Sequence, residues 1–344
     1  MRVLITGGAG FIGCNTAHHF LQRGDDVTVF DNLSRRGSRH NLDWLLETGR
    51  ASFVEGDVRD DAAVRRVVAE VRPDAILHLA GQVAVTTSIV DPRTDFEVNA
   101  LGTLNLLEAV RSEEPEAVVL YASTNKVYGE LGRRGVVERG RGYAFSGDPT
   151  AVGEETPLDF QSPYGCSKGA ADQYVRDYSR IYGLRTVVLR LSCIYGPRQF
   201  GVEDQGWVAW FVIAAVLGVR LTVYGDGKQV RDILFVDDLV RLFERVIERA
   251  DSVSSQVFNV GGGPDFQLSL LELIGILEGL GGAHLPYDLA AWRPGDQKVY
   301  VTDVGKARRM LGWAPSVPPA DGVELVYKWV RDHGHLVKML APVR

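Results

Sequence analysis

Val3-Leu4-Ile5-Thr6-Gly7-Gly8-Ala9-Gly10-Phe11-Ile12-Gly13 is the stretch whose reading decides the fold. The run from Val3 to Thr6 reads as a short apolar strand, and a helical pattern continues past Gly13 to about Arg23. Glycines at 7, 10 and 13, set between a strand and a helix, form a dinucleotide-binding fingerprint. The first permits a tight turn, the second lets backbone approach a pyrophosphate, and the third lets helix pack on strand. The unpaired N–H groups of the helix then face the phosphates. Gly7, Gly10, Phe11, Ile12 and Gly13 are therefore candidate cofactor-binding residues.

The same rhythm repeats downstream. Asp26 to Phe30 reads as a second strand ending at Asp31-Asn32, where a carboxylate can accept hydrogen bonds from adenosine ribose hydroxyls and repel a 2′-phosphate. That favours NAD over NADP, although Arg35 and Arg36 stand close enough in sequence to receive an extra phosphate. Ser52 to Gly56 is a third strand, with Asp57-Val58 placed for an adenine edge, and Ala75 to Leu79 a fourth, opening into Ala80-Gly81-Gln82. His78, inside that strand, reads as a packed histidine. A helix predicted from about Asp91 to Glu113 carries Asn99, and Val118 to Tyr121 makes a fifth strand. Asp31, Asn32, Asp57, Val58, Leu79, Ala80, Gly81, Gln82 and Asn99 complete the cofactor-binding candidates. Alternating strands and helices at this spacing predict an α/β fold built on a doubly wound parallel (Rossmann) sheet, with ligands beyond the carboxyl ends of the strands.

The fifth strand leads into Ser123-Thr124-Asn125-Lys126-Val127-Tyr128-Gly129. Further on, Tyr164-Gly165-Cys166-Ser167-Lys168 opens a helical run to about Tyr182, so Tyr164 and Lys168 lie one turn apart on one face. A cation near a phenol lowers its pKa from the reference of about 10 and makes it a proton acceptor for a sugar hydroxyl. Thr124, Tyr164 and Lys168 are the candidate catalytic residues, the last two also as cofactor contacts. Glu130 to Gln161 is a long polar stretch, read as a flap over the site or a contact surface.

Beyond a sixth strand, Thr186 to Arg190, the rhythm loosens. Asp204-Gln205-Gly206-Trp207 opens an apolar helix, Leu221 to Tyr224 is a strand, Val236 to about Ala250 is helical, and Gln256 to Gly261 returns as strand. Gly225 to Asp232 and Arg293-Pro294-Gly295-Asp296-Gln297 read as turns that present Arg231 and Arg293, whose guanidinium forks suit phosphates. Residues 1–194 are expected to form the NAD-binding domain. Residues 195–344 are expected to form mainly a smaller α/β substrate lobe, with segments returning to the main sheet. Asn125, Cys193, Gln205, Gly206, Trp207, Tyr224, Arg231 and Arg293, with Thr124, are its substrate-binding candidates.

Composition narrows the classes. Over 344 residues the net charge is −6, which argues against nucleic acid as a partner. Three scattered cysteines, with no Cys-x-x-Cys spacing, suggest a reducing, cytoplasmic compartment and no structural metal. Met1 to Thr6 runs straight into the glycines, so no secretory leader is expected, and the apolar run from Trp207 to Val219 is shorter than the roughly 20 residues of a membrane span.

Taken together, the glycine motif, Asp31, Thr124 and the Tyr164/Lys168 pair resemble the extended short-chain dehydrogenase/reductases, in their nucleotide-sugar epimerase branch. The segments Ser123 to Gly129, Ser162 to Tyr174, Asp204 to Trp207 and Gly227 to Asp232 carry the likeness, which covers nearly the whole chain. It implies transient oxidation at sugar C2, with Tyr164 as base, Lys168 lowering the phenol's pKa, Thr124 positioning the hydroxyl and bound NAD carrying the hydride. It further implies a nucleotide-sugar substrate, a CDP-hexose being favoured, and a homodimer or homotetramer. The dehydratases of this group carry Asp-Glu directly after the catalytic threonine; here Asn125-Lys126 stand there. Many relatives place asparagine where this chain has Cys193. Epimerisation of another nucleotide sugar at C2 or C4, a net NAD-dependent oxidoreduction, and a non-catalytic NAD-binding role are the alternatives.

Overall fold

A computed structural model describes residues 1–132, 134–293 and 296–340. The first five strands are β1 (Arg2–Thr6), β2 (Asp26–Asp31), β3 (Ser52–Glu55), β4 (Ala75–His78) and β5 (Val118–Thr124). A hairpin, β6 (Val136–Arg139) and β7 (Gly142–Phe145), follows, then β8 (Arg185–Leu191), β9 (Cys193–Tyr195), β10 (Leu221–Tyr224), β11 (Val230–Phe235) and β12 (Val257–Val260). The last three are β13 (Gln267–Ser269), β14 (Tyr287–Ala290) and β15 (Val299–Tyr300). The main sheet has seven strands in the order β12-β8-β5-β4-β1-β2-β3, all parallel. The order reverses beside β1, and such a switch point opens a crevice for ligands.

Both faces of the sheet are covered, which is why its strands read as unbroken apolar runs. On one face α1 (Phe11–Arg23) and α2 (Ser38–Leu46) bury Phe20, Leu21, Leu42 and Leu45 against Val3, Ile5 and Val29. On the other, α3 (Asp61–Val71) and the helices after β4 bury Val64, Val68, Leu106 and Val110 against Leu4 and Ile76. Each such side chain contributes about 1.5–3 kcal/mol by leaving water.

The predicted helix from Asp91 to Glu113 is broken. The chain makes α4 (Val85–Val90) and α5 (Pro92–Phe96), then a wider π-type turn over Glu97–Leu101, and then α6 (Gly102–Glu113). Pro92 has no N–H to continue α4, and the Asp91 side chain accepts from the Thr94 N–H at 3.0 Å to start α5. The Tyr164 helix, α7 (Ser162–Tyr182), forms as expected and packs on β5 and β8.

The second lobe gathers around α8 (Trp207–Leu217), apolar on every side and accordingly buried from Val208 to Ala214. The helices Leu270–Gly281 and Pro319–Asp332 enclose it. One expectation needs correction here. Arg231 is on β11 rather than in a turn: the turn closes at Gly225 and Gly227 (φ 80° and 76°), and the next residues pair with β13 and β15. Of the two readings of the 130–161 stretch, its described residues fit the contact surface, since none of them lines the cleft. Its hairpin packs on the second lobe, with Tyr143 N–H bonded to Lys228 O (3.0 Å) and Val152 N–H to Val301 O (2.7 Å). Pro294 and Gly295, at the centre of the other expected turn, lie outside the described residues; at its ends Asp296 N–H reaches Arg293 O (3.2 Å).

Candidate functional site

One cleft of about 1060 Å³ runs along the carboxyl ends of β1, β2, β4, β5 and β8 and on to the second lobe. It gathers Gly7, Gly10, Phe11, Ile12, Gly13, Asp31, Asn32, Asp57, Val58 and Leu79 to Gln82 at one end. Thr124, Asn125, Tyr164 and Lys168 line its middle, and Cys193, Gln205 to Trp207, Tyr224, Arg231 and Arg293 its far end. Asn99 is the exception. Buried beneath the wall, it holds the loop after β4: Oδ1 accepts from Gln82 N–H (2.9 Å), and Nδ2 faces Gln82 O (3.0 Å) and Ser167 Oγ (3.1 Å).

The glycine end is built by close approach. Gly7 has φ 68°, and a Cβ there would stand 2.6 Å from Ala80 N, so only glycine lets the β1–α1 turn abut the loop after β4. A Cβ at Gly13 would meet Gly7 O at 2.3 Å. α1 carries no acidic residue in its first turn and no side-chain cap, so its N-terminus keeps its positive end open to an anion. Asp31 is held by the N–H groups of Ala9 (to Oδ2, 3.0 Å) and Leu33 (to Oδ1, 2.8 Å), while burial raises its pKa. Asp57 receives both Arg59 (2.8 Å) and Asn32 (2.8 Å), and the Arg59 bonds above all draw its pKa down to about 2. Arg59 carried no signal of its own in the sequence. A helix N-terminus, bare glycine backbone and a buried carboxylate at the end of β2 together fit the diphosphate and ribose of a dinucleotide.

In the middle of the cleft, burial pushes the Tyr164 phenol up to about 12, opposed by its hydrogen-bonding neighbour Thr124. Lys168 lines the cleft together with Tyr164, one helical turn away on α7. Its ammonium donates to Ala122 O (2.6 Å) and lies over the Tyr121 ring at 4.3 Å. Burial lowers it to about 7, with Asp172 opposing. His78 is a packed histidine: its ring nitrogens meet Thr6 Oγ1 (2.7 Å) and Thr103 Oγ1 (3.0 Å), and burial takes it down to about 3.

Beneath these residues lies a buried ion pair. Arg190 Nε and Nη2 donate to Asp172 at 2.9 and 3.0 Å, Ser123 Oγ donates to the same carboxylate at 2.8 Å, and Arg190 Nη1 reaches the Tyr128 hydroxyl at 2.9 Å. At the far end the two expected phosphate-binding arginines already have carboxylate partners. Arg231 pairs with Asp296 (2.7 Å), and Arg293 pairs with Asp204 (2.7 Å) while stacking on Tyr224 at 3.9 Å. Cys193 is pushed up by burial, with Arg231 opposing.

A parallel seven-stranded sheet, a glycine turn at its first crossover and a Tyr-x-x-x-Lys helix facing that turn across one cleft define an extended short-chain dehydrogenase/reductase. The sequence pattern of the GDP-mannose 4,6 dehydratase family matches residues 4–326, and the chain belongs to that family. The chain is 46% identical over 334 residues to the CDP-paratose 2-epimerase of Salmonella typhi, spanning 96% of this chain and 99% of that one. It is 35% identical over 351 residues to a dTDP-glucose 4,6-dehydratase of Neisseria gonorrhoeae, with 96% of each covered. Among solved structures, the UDP-glucose 4-epimerase of Thermus thermophilus in complex with NAD superposes with a TM-score of 0.83 at 34% identity, covering 96% of this chain and 99% of that one. Among the described residues no helix is long and apolar enough to cross a membrane.

Proposed function

We propose that the protein is an NAD-dependent nucleotide-sugar 2-epimerase that interconverts CDP-paratose and CDP-tyvelose. The observation that carries this reading is the cleft wall at Thr124-Asn125-Lys126 beside Tyr164. An elimination needs an acid and a base next to the reacting carbon, and a carboxamide followed by an ammonium does not supply that pair. Proton transfer at a single hydroxyl needs only the phenol and its neighbour. The likeness to the Salmonella typhi enzyme over nearly the whole chain supports the choice of C2 and of a CDP sugar.

NAD, when bound, supplies the hydride acceptor and a positively charged ring. The glycine turn and the α1 N-terminus would hold its diphosphate, Asp31 its adenosine ribose, and Asp57 with Val58 the adenine edge. Tyr164 Oη takes the proton of the C2 hydroxyl and returns it after the sugar has turned over. Burial raises the phenol's pKa to about 12, and positive charge beside it works in the opposite sense, so the cationic ring would favour the phenolate. Thr124 Oγ1 orients the hydroxyl and shares its proton. Lys168, tied to Ala122 O, is a donor within the same cleft for a ribose hydroxyl.

Residues 1–194 form the cofactor-binding part and 195–344 mainly the nucleotide-sugar part, with β12 returned to the main sheet. Ile89, Val90, Phe96, Ile181 and Tyr182 are exposed on α4, α5 and α7, which supports a homo-oligomer joined through those helices. Cys14, Cys166 and Cys193 are all unpaired, in keeping with a reducing cytoplasm. The test is incubation of the purified protein with CDP-paratose and, separately, CDP-glucose, with NMR of the product. Inversion at C2 without net NADH formation is expected. If neither sugar changes when NAD is added, a UDP-sugar panel read at C4 replaces this reading.

A further inference from the structure

Among the described residues, Arg231, Arg293 and Lys126 line the far part of the cleft, and two of them are already engaged: Arg231 with Asp296 and Arg293 with Asp204. Lys126 is the third. It is half-buried, it lines the cleft two residues beyond Thr124, and no carboxylate of the described residues forms an ion pair with its ammonium. Its backbone is fixed at the entry to the short turn Asn125–Tyr128, where its N–H is bonded to Thr124 Oγ1 at 3.3 Å. Burial lowers its pKa, and Arg231 lowers it further, while Asp296 and Glu130 act on it in the opposite sense from a distance. A lysine held in such a place with no anion of its own suits an anion brought by the ligand.

The chemistry of the sugar says which anion. A nucleotide sugar carries its diphosphate on C1. If C2 faces Tyr164 and Thr124, the phosphate-bearing carbon is one bond from the reacting carbon, so the phosphate lies beside the Thr124 turn. If C4 faces Tyr164, C1 lies across the ring and the phosphate points away from that turn. We propose that Lys126 binds the sugar-side phosphate of the diphosphate and thereby presents C2, rather than C4, to Tyr164. This rests on the C2 reading given above and names the group that enforces it.

The test compares CDP, which has that phosphate, with CMP, which lacks it, by calorimetric titration of the purified full-length protein and its Lys126→Met and Lys126→Arg variants. Lys126→Met weakens CDP by about 10- to 100-fold, the usual scale for a lost hydrogen bond to a charged group, and leaves CMP affinity as it was. Lys126→Arg restores most of the CDP affinity. Retained CMP binding shows in the same titrations that the variant is folded. If Lys126→Met binds CDP as the unaltered protein does, or loses CDP and CMP equally, the inference is overturned. The unaltered protein is assayed alongside for C2 inversion of CDP-paratose. Inversion together with an unchanged CDP affinity in Lys126→Met sinks this inference alone, and failure of the unaltered protein to invert C2 sinks the reaction reading and this inference with it.

Discussion

Replacing Asp172 by asparagine tests how the catalytic segments are held together. The Asp172 carboxylate is fully buried and accepts two bonds from Arg190 (2.9 and 3.0 Å), one from Ser123 Oγ (2.8 Å) and one from Gln173 Nε2 (2.8 Å). It thereby ties α7, which carries Tyr164 and Lys168, to β5, which ends in Thr124, and to β8. Burial works against the Arg190 charge, yet the Asp172 bonds more than offset it and hold the guanidinium above its ordinary range. Asparagine has nearly the same volume, so no cavity term enters. What remains is a guanidinium 2% exposed with no anion, facing an amide that turns one acceptor into a donor. Breaking a buried pair from one side costs about 3–5 kcal/mol. At about 2.1 cal/mol/K per residue, the unfolding entropy of 344 residues is about 0.7 kcal/mol/K, so Tm falls by about 4–7 °C. The assay is thermal unfolding of Asp172→Asn, Arg190→Met and the double variant. The double variant should cost clearly less than the sum of the two singles. An unshifted Tm in Asp172→Asn, or costs additive within about 0.5 kcal/mol, refutes the argument.

Tyr164→Phe removes the proton acceptor and lowers kcat by about 10²–10⁴-fold, the range typical of a positioned acid–base group, with circular dichroism unchanged. An NMR turnover rate close to that of the unaltered protein would remove Tyr164 from the mechanism. Lys168 gives a pH signature: burial takes it from 10.5 to about 7 in the folded chain, so between those values the unfolded chain holds the extra proton. Stability from this group therefore rises with pH across that window, by up to about 1.4 kcal/mol per pH unit. Lys168→Met lacks that slope. Its Tm relative to the unaltered, cofactor-free protein should be most favourable below pH 7 and decline towards pH 10; a difference that does not change with pH would show that Lys168 titrates normally.

The parts of the molecule that could be read from sequence are those written locally. A strand, three spaced glycines and a helix are contiguous, and every flagged residue at the end of β1, β2, β4 or β5 inherits its place from the parallel sheet. What escaped depends on distant packing. Arg231 meets Asp296 across 65 residues, and Arg293 meets Asp204 across 89, so neither carboxylate could be marked as an arginine partner. Asn99 is buried in a turn wider than an α-helix, which no spacing rule for regular helices anticipates. Lys168 donates to Ala122 O, a contact from α7 to β5 that helical spacing alone does not mark. The break before α5 was legible in principle, since Asp91-Pro92 is a helix-starting pair.

In the proposed reaction the C2 hydrogen leaves as hydride and returns to the same carbon. The measurement that tests it most directly uses CDP-paratose carrying deuterium at C2, with the product followed by NMR and mass spectrometry. Inversion at C2 with the deuterium retained there, slowed relative to the unlabelled sugar, is the expected result. Exchange of the label with solvent, or inversion at C4 with the C2 deuterium untouched, would contradict it.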